Sequence, residues 1–188
     1  MKLTNTCNIL KIDNKNNLIG DMTDVRGFEN SIKVLDLDIK NKNILLVGAG
    51  GIGTSLSHYF LTEGVKKVRI HDINKQKSEQ LCNSIRTINP KFNYKIWNYK
   101  KNNFDYLINA SPAGMNNKSP FNLKIIKNSR VVVDFVLSNK KTKLLKIAEK
   151  NNLITISGKK ILINQIPSML KFFGFKKIYK SNINKIKD

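Results

Sequence analysis

The chain is predicted to be an α/β protein, a doubly wound and mostly parallel sheet with a small N-terminal appendage. Three observations carry this. The apolar run Ile44-Leu45-Leu46-Val47 leads directly into Gly48-Ala49-Gly50-Gly51-Ile52-Gly53, as a strand does when it passes through a tight glycine turn into a helix. Short apolar runs and helix-period stretches then alternate to about residue 172 with connections of a few residues. Finally, an acid, Asp72, closes the second apolar run 19 residues past Gly53.

Taken in order, residues 1–40 form the appendage, 41–175 the sheet domain and 176–188 a basic tail, expected to fray from Gly174 onward. In the appendage, 8–10 and 18–22 suit a β-ribbon and 27–35 a helix, too little to fold alone. After the glycine turn, Leu56, Tyr59 and Phe60 lie at helical spacing over 54–62, and Gly64 is placed to end that helix. Residues 68–71 make the second strand. A helix follows at 75–87, with Leu81, Ile85 and the neighbouring Ile88 on one side, then a short strand at 94–97. The strand 106–108 runs into Asn109-Ala110-Ser111-Pro112-Ala113-Gly114-Met115. Beyond it come a helical stretch at 122–127, a strand at 130–135, a helix at 141–150, a strand at 153–156 and, past Gly158, a helix at 162–172.

Composition narrows the function classes. With 188 residues and 40% hydrophobic content the chain can bury a core, and no apolar stretch reaches the ~18 residues of a membrane span. Its first residues lack the apolar centre of a signal peptide, so a cytoplasmic protein with no membrane role is expected. Cys7 and Cys82 stand in no metal-ligand or C-x-x-C spacing and read as reduced thiols. The formal charge of +21 would suggest nucleic acid, but the lysines are scattered and no aromatic-interleaved basic motif occurs. No specific nucleic-acid partner is expected, only salt-sensitive adhesion to polyanions and attraction of anionic ligands.

The glycine loop is where chemistry enters. Gly48 permits the turn, Gly50 lets the backbone approach phosphates, and Gly53 lets helix and strand pack closely. The helix then offers free N–H groups and its positive dipole end to an anion. With Asp72 placed to grip the adenosine ribose, the arrangement is that of a Rossmann-type dinucleotide site. Strand, loop, helix, strand and acid fall in the required order, which outweighs a purely structural glycine turn.

Further motifs point to a family. Asn8, the run Gly20-Asp21-Met22-Thr23-Asp24-Val25-Arg26-Gly27-Phe28, the glycine loop, the N-A-S-P-A-G-M run at 109–115 and the closing Gly158 to Gln165 pattern occur in register. Through them the chain resembles the shikimate and quinate dehydrogenases. The resemblance implies hydride transfer between a nicotinamide cofactor and the ring alcohol or ketone of a cyclohexane carboxylic acid, in aromatic amino-acid (chorismate) biosynthesis. It implies Asp24 as the catalytic aspartate and Asn8, Thr23 and Gln165 as substrate contacts. For the cofactor it implies Gly48, Ala49, Gly50, Gly51, Ile52, Gly53, Asp72, Asn109, Ser111, Pro112, Met115 and Gly158, with 109–115 lining the nicotinamide end.

Those residue types suit the work. A carboxylate can orient and polarise an alcohol, and amides offer paired donors and acceptors to a polyol. Read without the family, Asp24 is an N-cap for a helix at 25–35, Gln165 a solvated helix residue and Asn109 a turn-former. On the same footing His58 and His71 are surface or packed residues, while Met115, Phe172 and Phe173 are core or cleft wall.

Three departures stand out. The family's opening ~80 residues, which carry a serine pair and a lysine in an N-V-T-x-P-x-K run, have no counterpart here, and no lysine can be assigned that role from sequence. Its V-Y-x-P run reads Val136-Leu137-Ser138-Asn139, and its N-R-T run, which binds the 2′-phosphate of NADP, reads Asp72-Ile73-Asn74. The last favours NAD, with NADP second: at ~5 Å and an effective dielectric of ~20, Asp72 and each charge of a 2′-phosphate repel by roughly 3 kcal/mol. Two expectations compete. One is a dehydrogenase whose substrate half lies upstream or on a separate polypeptide; the other is an NAD(H)-binding relic or partner subunit without chemistry.

Overall fold

The computed structural model describes residues 6–100, 103–115 and 119–175; the expected basic tail at 176–188 lies outside them. Its contacts divide the chain into two compact units, Ile39–Gly158 and a discontinuous unit of Met1–Asp38 with Lys159–Asp188.

The Ile39–Gly158 unit is built on six strands, β3 (Asn43–Val47), β4 (Lys67–His71), β5 (Tyr94–Ile96), β6 (Tyr106–Asn109), β7 (Val131–Asp134) and β8 (Ile154–Ser157). They pair in the order β5-β4-β3-β6-β7-β8, every pair parallel. This is the doubly wound sheet expected, and its order reverses between β3 and β6, the point where such sheets bind ligands. The register sets Val47, His71, Asn109, Asp134 and Ser157 level with one another. Every loop that could reach a ligand therefore leaves one edge of the sheet.

The central strands β6 and β7 are buried throughout, as strands covered on both faces must be. On one side Leu45, Val47, Leu107 and Val132 join Ile125, Ile126, Leu144, Leu145 and Ala148 in a single cluster. These helical residues come from α4 (Leu123–Lys127) and α5 (Lys143–Lys150). Residues of the other parity, Ile44, Leu46 and Ile108, are equally buried, as are Leu56 and Phe60 on α2 (Gly51–Thr62) and Ile85 on α3 (Lys75–Ile88).

Helix starts follow local side-chain chemistry. Asn74, Asn122 and Thr142 each accept from first-turn N–H groups of α3, α4 and α5. Thr142 sets the start of α5 at Lys143, two residues later than the 141 expected. Gly64 ends α2 with φ +67°, as anticipated.

In the discontinuous unit, β1 (Ile9–Ile12) and β2 (Leu18–Asp21) form the expected antiparallel ribbon. The Asp13 carboxylate accepts from the N–H groups of Lys15 and Asn17 and folds the turn between them. The two helices here start earlier than expected. Helix α1 runs Thr23–Val34 rather than from 27, and α6 runs Gly158–Phe172 rather than from 162. Both expectations took a glycine for a boundary. Gly27 instead lies buried within α1, where a Cβ would meet the Ile161 carbonyl of α6 at 2.5 Å, so it serves close helix packing.

Candidate functional site

The glycine loop divides its tasks as the spacing predicts. Gly48 has φ +106°, and a Cβ there would stand 2.5 Å from the Ala110 carbonyl. Its N–H donates to the His71 carbonyl at 2.8 Å, tying the turn to the end of β4. A Cβ on Gly53 would lie 1.9 Å from the Gly48 carbonyl, so the first turn of α2 rests directly on the loop. Gly50 is the opposite case: nothing lies within 4 Å of where its Cβ would be. It is the N-cap of α2 yet brings no side chain to the helix end, and the first turn holds no acid. The loop thus has an open cradle that a side chain would fill, with uncapped backbone N–H groups beside it. That suits a pyrophosphate.

Asp72 follows β4 and lies against this loop. One carboxylate oxygen accepts from the Ala49 N–H at 2.7 Å and the other from the Asn74 N–H at 2.8 Å. The half-buried acid therefore braces the turn, and its remaining lone pairs are available to hydroxyl donors. The two cations within three residues of it have partners: Arg69 donates to the Val68 carbonyl and to Asn93, and Lys75 pairs with Glu79 at 3.5 Å. Ile73, in the place of the family's arginine, is fully exposed.

Across the reversal of strand order, Asn109 organises the 109–115 loop. Its Nδ2 donates to the Ala113 carbonyl at 2.6 Å and to Asp134 at 3.0 Å, while its Oδ1 accepts from the Ser111 N–H and hydroxyl. The residue is wholly buried, a turn-former whose side chain is engaged by the protein. Pro112 is exposed and its carbonyl accepts from the Met115 N–H at 3.1 Å. Met115 itself is 70% exposed, which excludes the core alternative for this residue. Gly158 marks tight packing, since a Cβ would meet the Val136 and Phe135 carbonyls at 2.6 and 2.8 Å.

Asp134, which sequence reasoning missed, is the anchor of this edge. It is fully buried and accepts from Thr142 at 2.6 Å, from the Val136 N–H at 3.1 Å and from Asn109. Burial raises its pKa, and these three donors oppose the rise. An acid closing the run Val131-Val132-Val133 was the available signal.

In the discontinuous unit, residues distant in sequence converge. The Asn8 side chain accepts from the Thr23 N–H at 2.8 Å and donates to the Thr23 hydroxyl at 3.1 Å; that hydroxyl donates to Oε1 of Gln165 at 3.0 Å. Asn8 thereby satisfies the first N–H of α1 from outside the helix. The N-cap position belongs to Met22, so Asp24 is not the cap expected but the acid of the first turn, favoured there by the helix dipole. Half-burial raises the Asp24 pKa, while hydrogen bonds from Gln165 and Asn8 work against the rise. Gln165 is 5% exposed, a buried partner rather than a solvated helix residue.

The other residues singled out fall as follows. His58 is buried on α2, and burial lowers its pKa. His71 packs against Trp97 and Tyr99. Phe173 is 45% exposed and lines a surface cavity with Lys11 and Ile19, the cleft-wall rather than the core alternative, with its ring 5.2 Å from that of Phe172. Lys11 donates to the Phe172 carbonyl and lies 4.8 Å over its ring, a packed lysine with its charge already engaged.

Residues 30–135, more than half of the chain, match the sequence model of the shikimate/quinate 5-dehydrogenases. The chain belongs to that family. A shikimate dehydrogenase (NADP(+)) of Methanococcus aeolicus is 34% identical over 176 residues, 87% of this chain and 60% of the relative. The shikimate dehydrogenase structure from Aquifex aeolicus superposes with a TM-score of 0.78 at 26% identity, covering 98% of this chain and 66% of that one. A quinate dehydrogenase from Corynebacterium glutamicum in complex with NAD gives 0.76 at 25% identity, covering 91% and 63%. The chain spans 57–60% of the length of the first curated relatives it matches. No helix among the described residues is long and apolar enough to cross a membrane.

Proposed function

We propose that this chain is the dinucleotide-holding part of a dehydrogenase that interconverts shikimate and 3-dehydroshikimate, or acts on quinate, in aromatic amino-acid biosynthesis. The observation that carries the reading is the open cradle at Gly50 beside the uncapped start of α2. The nicotinamide cofactor, when bound, supplies or takes up the hydride. The backbone N–H groups of the 48–53 loop hold the pyrophosphate, and Asp72 accepts from the adenosine ribose. Residues 1–40 are read as the remainder of a substrate domain, in which Asn8, Thr23 and Gln165 bind the polyol and Asp24 orients the reacting alcohol.

The cofactor is NAD in preference to NADP. Asp72 repels a 2′-phosphate, Ile73 offers it no donor, and Arg69 is bound to Asn93. Titration with NADH and NADPH at physiological salt should favour NADH; tighter NADPH binding overturns this assignment. The 188-residue chain alone is expected to bind the dinucleotide, to lose it on Gly50→Val, and to turn over shikimate negligibly. Adding a polypeptide with the family's serine pair and lysine run should then restore turnover, with Asp24→Asn lowering kcat more than cofactor affinity. Unchanged binding by Gly50→Val would refute the loop's role, and robust turnover by the chain alone would refute the need for a second polypeptide.

A further inference from the structure

Beside the glycine turn stands an aromatic cluster that the roles above leave unused. Trp97, the chain's single tryptophan, is 6% exposed, with Phe104 edge-on at 6.4 Å. Tyr99 lies against it, the ring centroids 4.4 Å apart and tilted by 38°. The Tyr99 hydroxyl is 3.0 Å from Nδ1 of His71, and the two rings meet edge to face at 5.5 Å. His71 closes β4, its carbonyl accepts the Gly48 N–H, and Asp72 comes next in the chain.

Two features set Tyr99 apart from a packing tyrosine. It is 60% exposed although it is backed by Trp97 and anchored by His71. Its φ is +63°, a backbone conformation that bulky residues rarely adopt and that persists where the surroundings impose it. The protein thus presents an aromatic ring at its surface, in contact with His71, the residue before the acid read as the ribose ligand. Because β4 and β5 lie on one side of the glycine turn and β6 to β8 on the other, this is the adenosine end.

The geometry points to Tyr99 as a stacking platform for the adenine ring of the dinucleotide, braced by Trp97 and His71. The inference rests on the dinucleotide reading and adds to it the group that receives the base. An aromatic face beneath a base contributes an effect of about tenfold in affinity on truncation, and it recognises the ring without hydrogen-bonding its edges.

The test titrates the full chain with AMP and with NADH, read by calorimetry and by emission from Trp97. AMP carries the adenine and lacks the nicotinamide. Both ligands should quench Trp97. Tyr99→Ala and Tyr99→Asn, the second suited to the left-handed backbone, should each weaken both ligands about tenfold. Tyr99→Phe should bind within about twofold of the unaltered chain, since the ring is kept. If Tyr99→Ala and Tyr99→Asn bind AMP as the unaltered chain does, the platform is overturned while NADH binding still upholds the dinucleotide site. If Tyr99→Phe weakens binding as much as Tyr99→Ala, the hydroxyl and not the ring is responsible, and stacking is overturned. If the unaltered chain binds neither ligand, the dinucleotide reading falls as well.

Discussion

The glycine-loop unit and the discontinuous unit build their polar sites by opposite means. In the first, consecutive residues from Gly48 to Gly53 make the turn, the cradle and the helix start from backbone, with the Asp72 carboxylate as a brace. In the second, side chains converge from positions far apart, with Thr23 and Gln165 separated by 142 residues. A backbone site is written in one short stretch and tolerates no added atom where it is tight. A side-chain site is spread over the chain, and each member contributes only its own hydrogen bonds.

The largest expected effect comes from the tight end of the loop. Gly53→Ala should destabilise the protein by ~3 kcal/mol or more, because its Cβ would overlap the Gly48 carbonyl and force the backbone apart. Gly50→Ala, with open space at its Cβ, should stay within about 1 kcal/mol in the same urea titration. Equal losses from the two would show that the loop is uniformly packed and has no cradle.

Next is Asp134→Ala, expected to cost about 2–4 kcal/mol by leaving Asn109, Thr142 and the Val136 N–H without their buried acceptor. Asp134→Asn keeps one acceptor oxygen and can donate to Thr142, so it should cost about 1 kcal/mol or less. If the alanine variant melts with the unaltered protein, Asp134 does not anchor this edge.

In the discontinuous unit, Thr23→Val should cost about 1–2 kcal/mol, because it removes the hydroxyl that joins Asn8 to Gln165 within a shape nearly preserved. No change in the denaturation midpoint would mean that Asn8 and Gln165 find equivalent partners.

The smallest effect concerns pH. Burial raises the pKa values of Asp24 and Asp134 in the folded protein, so the fold binds their protons more tightly than the unfolded chain does. Their contribution is therefore fully present below the ordinary carboxylate pKa of about 3.9 and is lost as pH rises through the folded values. Asp134→Asn should flatten the fall in stability over that interval. An unchanged slope in urea midpoints against pH would contradict the raised value.

The same contrast governs what could be read in advance. The strands, their alternation with helices, the glycine turn and Asp72 are local patterns, and each lies where its pattern places it. The helix starts at Thr23 and Gly158 were hidden because Gly27 and Gly158 look like breaks. Whether a glycine ends a helix or lets a neighbour approach depends on what packs against it, here the Ile161 carbonyl in the first case and the Val136 carbonyl in the second. Asp24 read as a cap because the true satisfier of the first α1 N–H is Asn8, 15 residues earlier. Gln165 and Asn8 were legible as site candidates only through the family resemblance. Asp134 closes an apolar run as Asp72 does, but its burial and its bond to Asn109 on the neighbouring strand exist only once the sheet is paired.

The discontinuous unit also has a consequence for synthesis. Among the described elements, a ribosome makes the ribbon and α1 before the six sheet strands and α6 after them. The sheet unit is continuous in sequence and has every strand it needs by Ser157, whereas Thr23 waits through the whole of that span for Gln165. Domains complete as units in the order their residues emerge. The sheet unit can therefore finish while α1 still lacks the helix that covers Gly27, and the discontinuous unit closes only once α6 has been made.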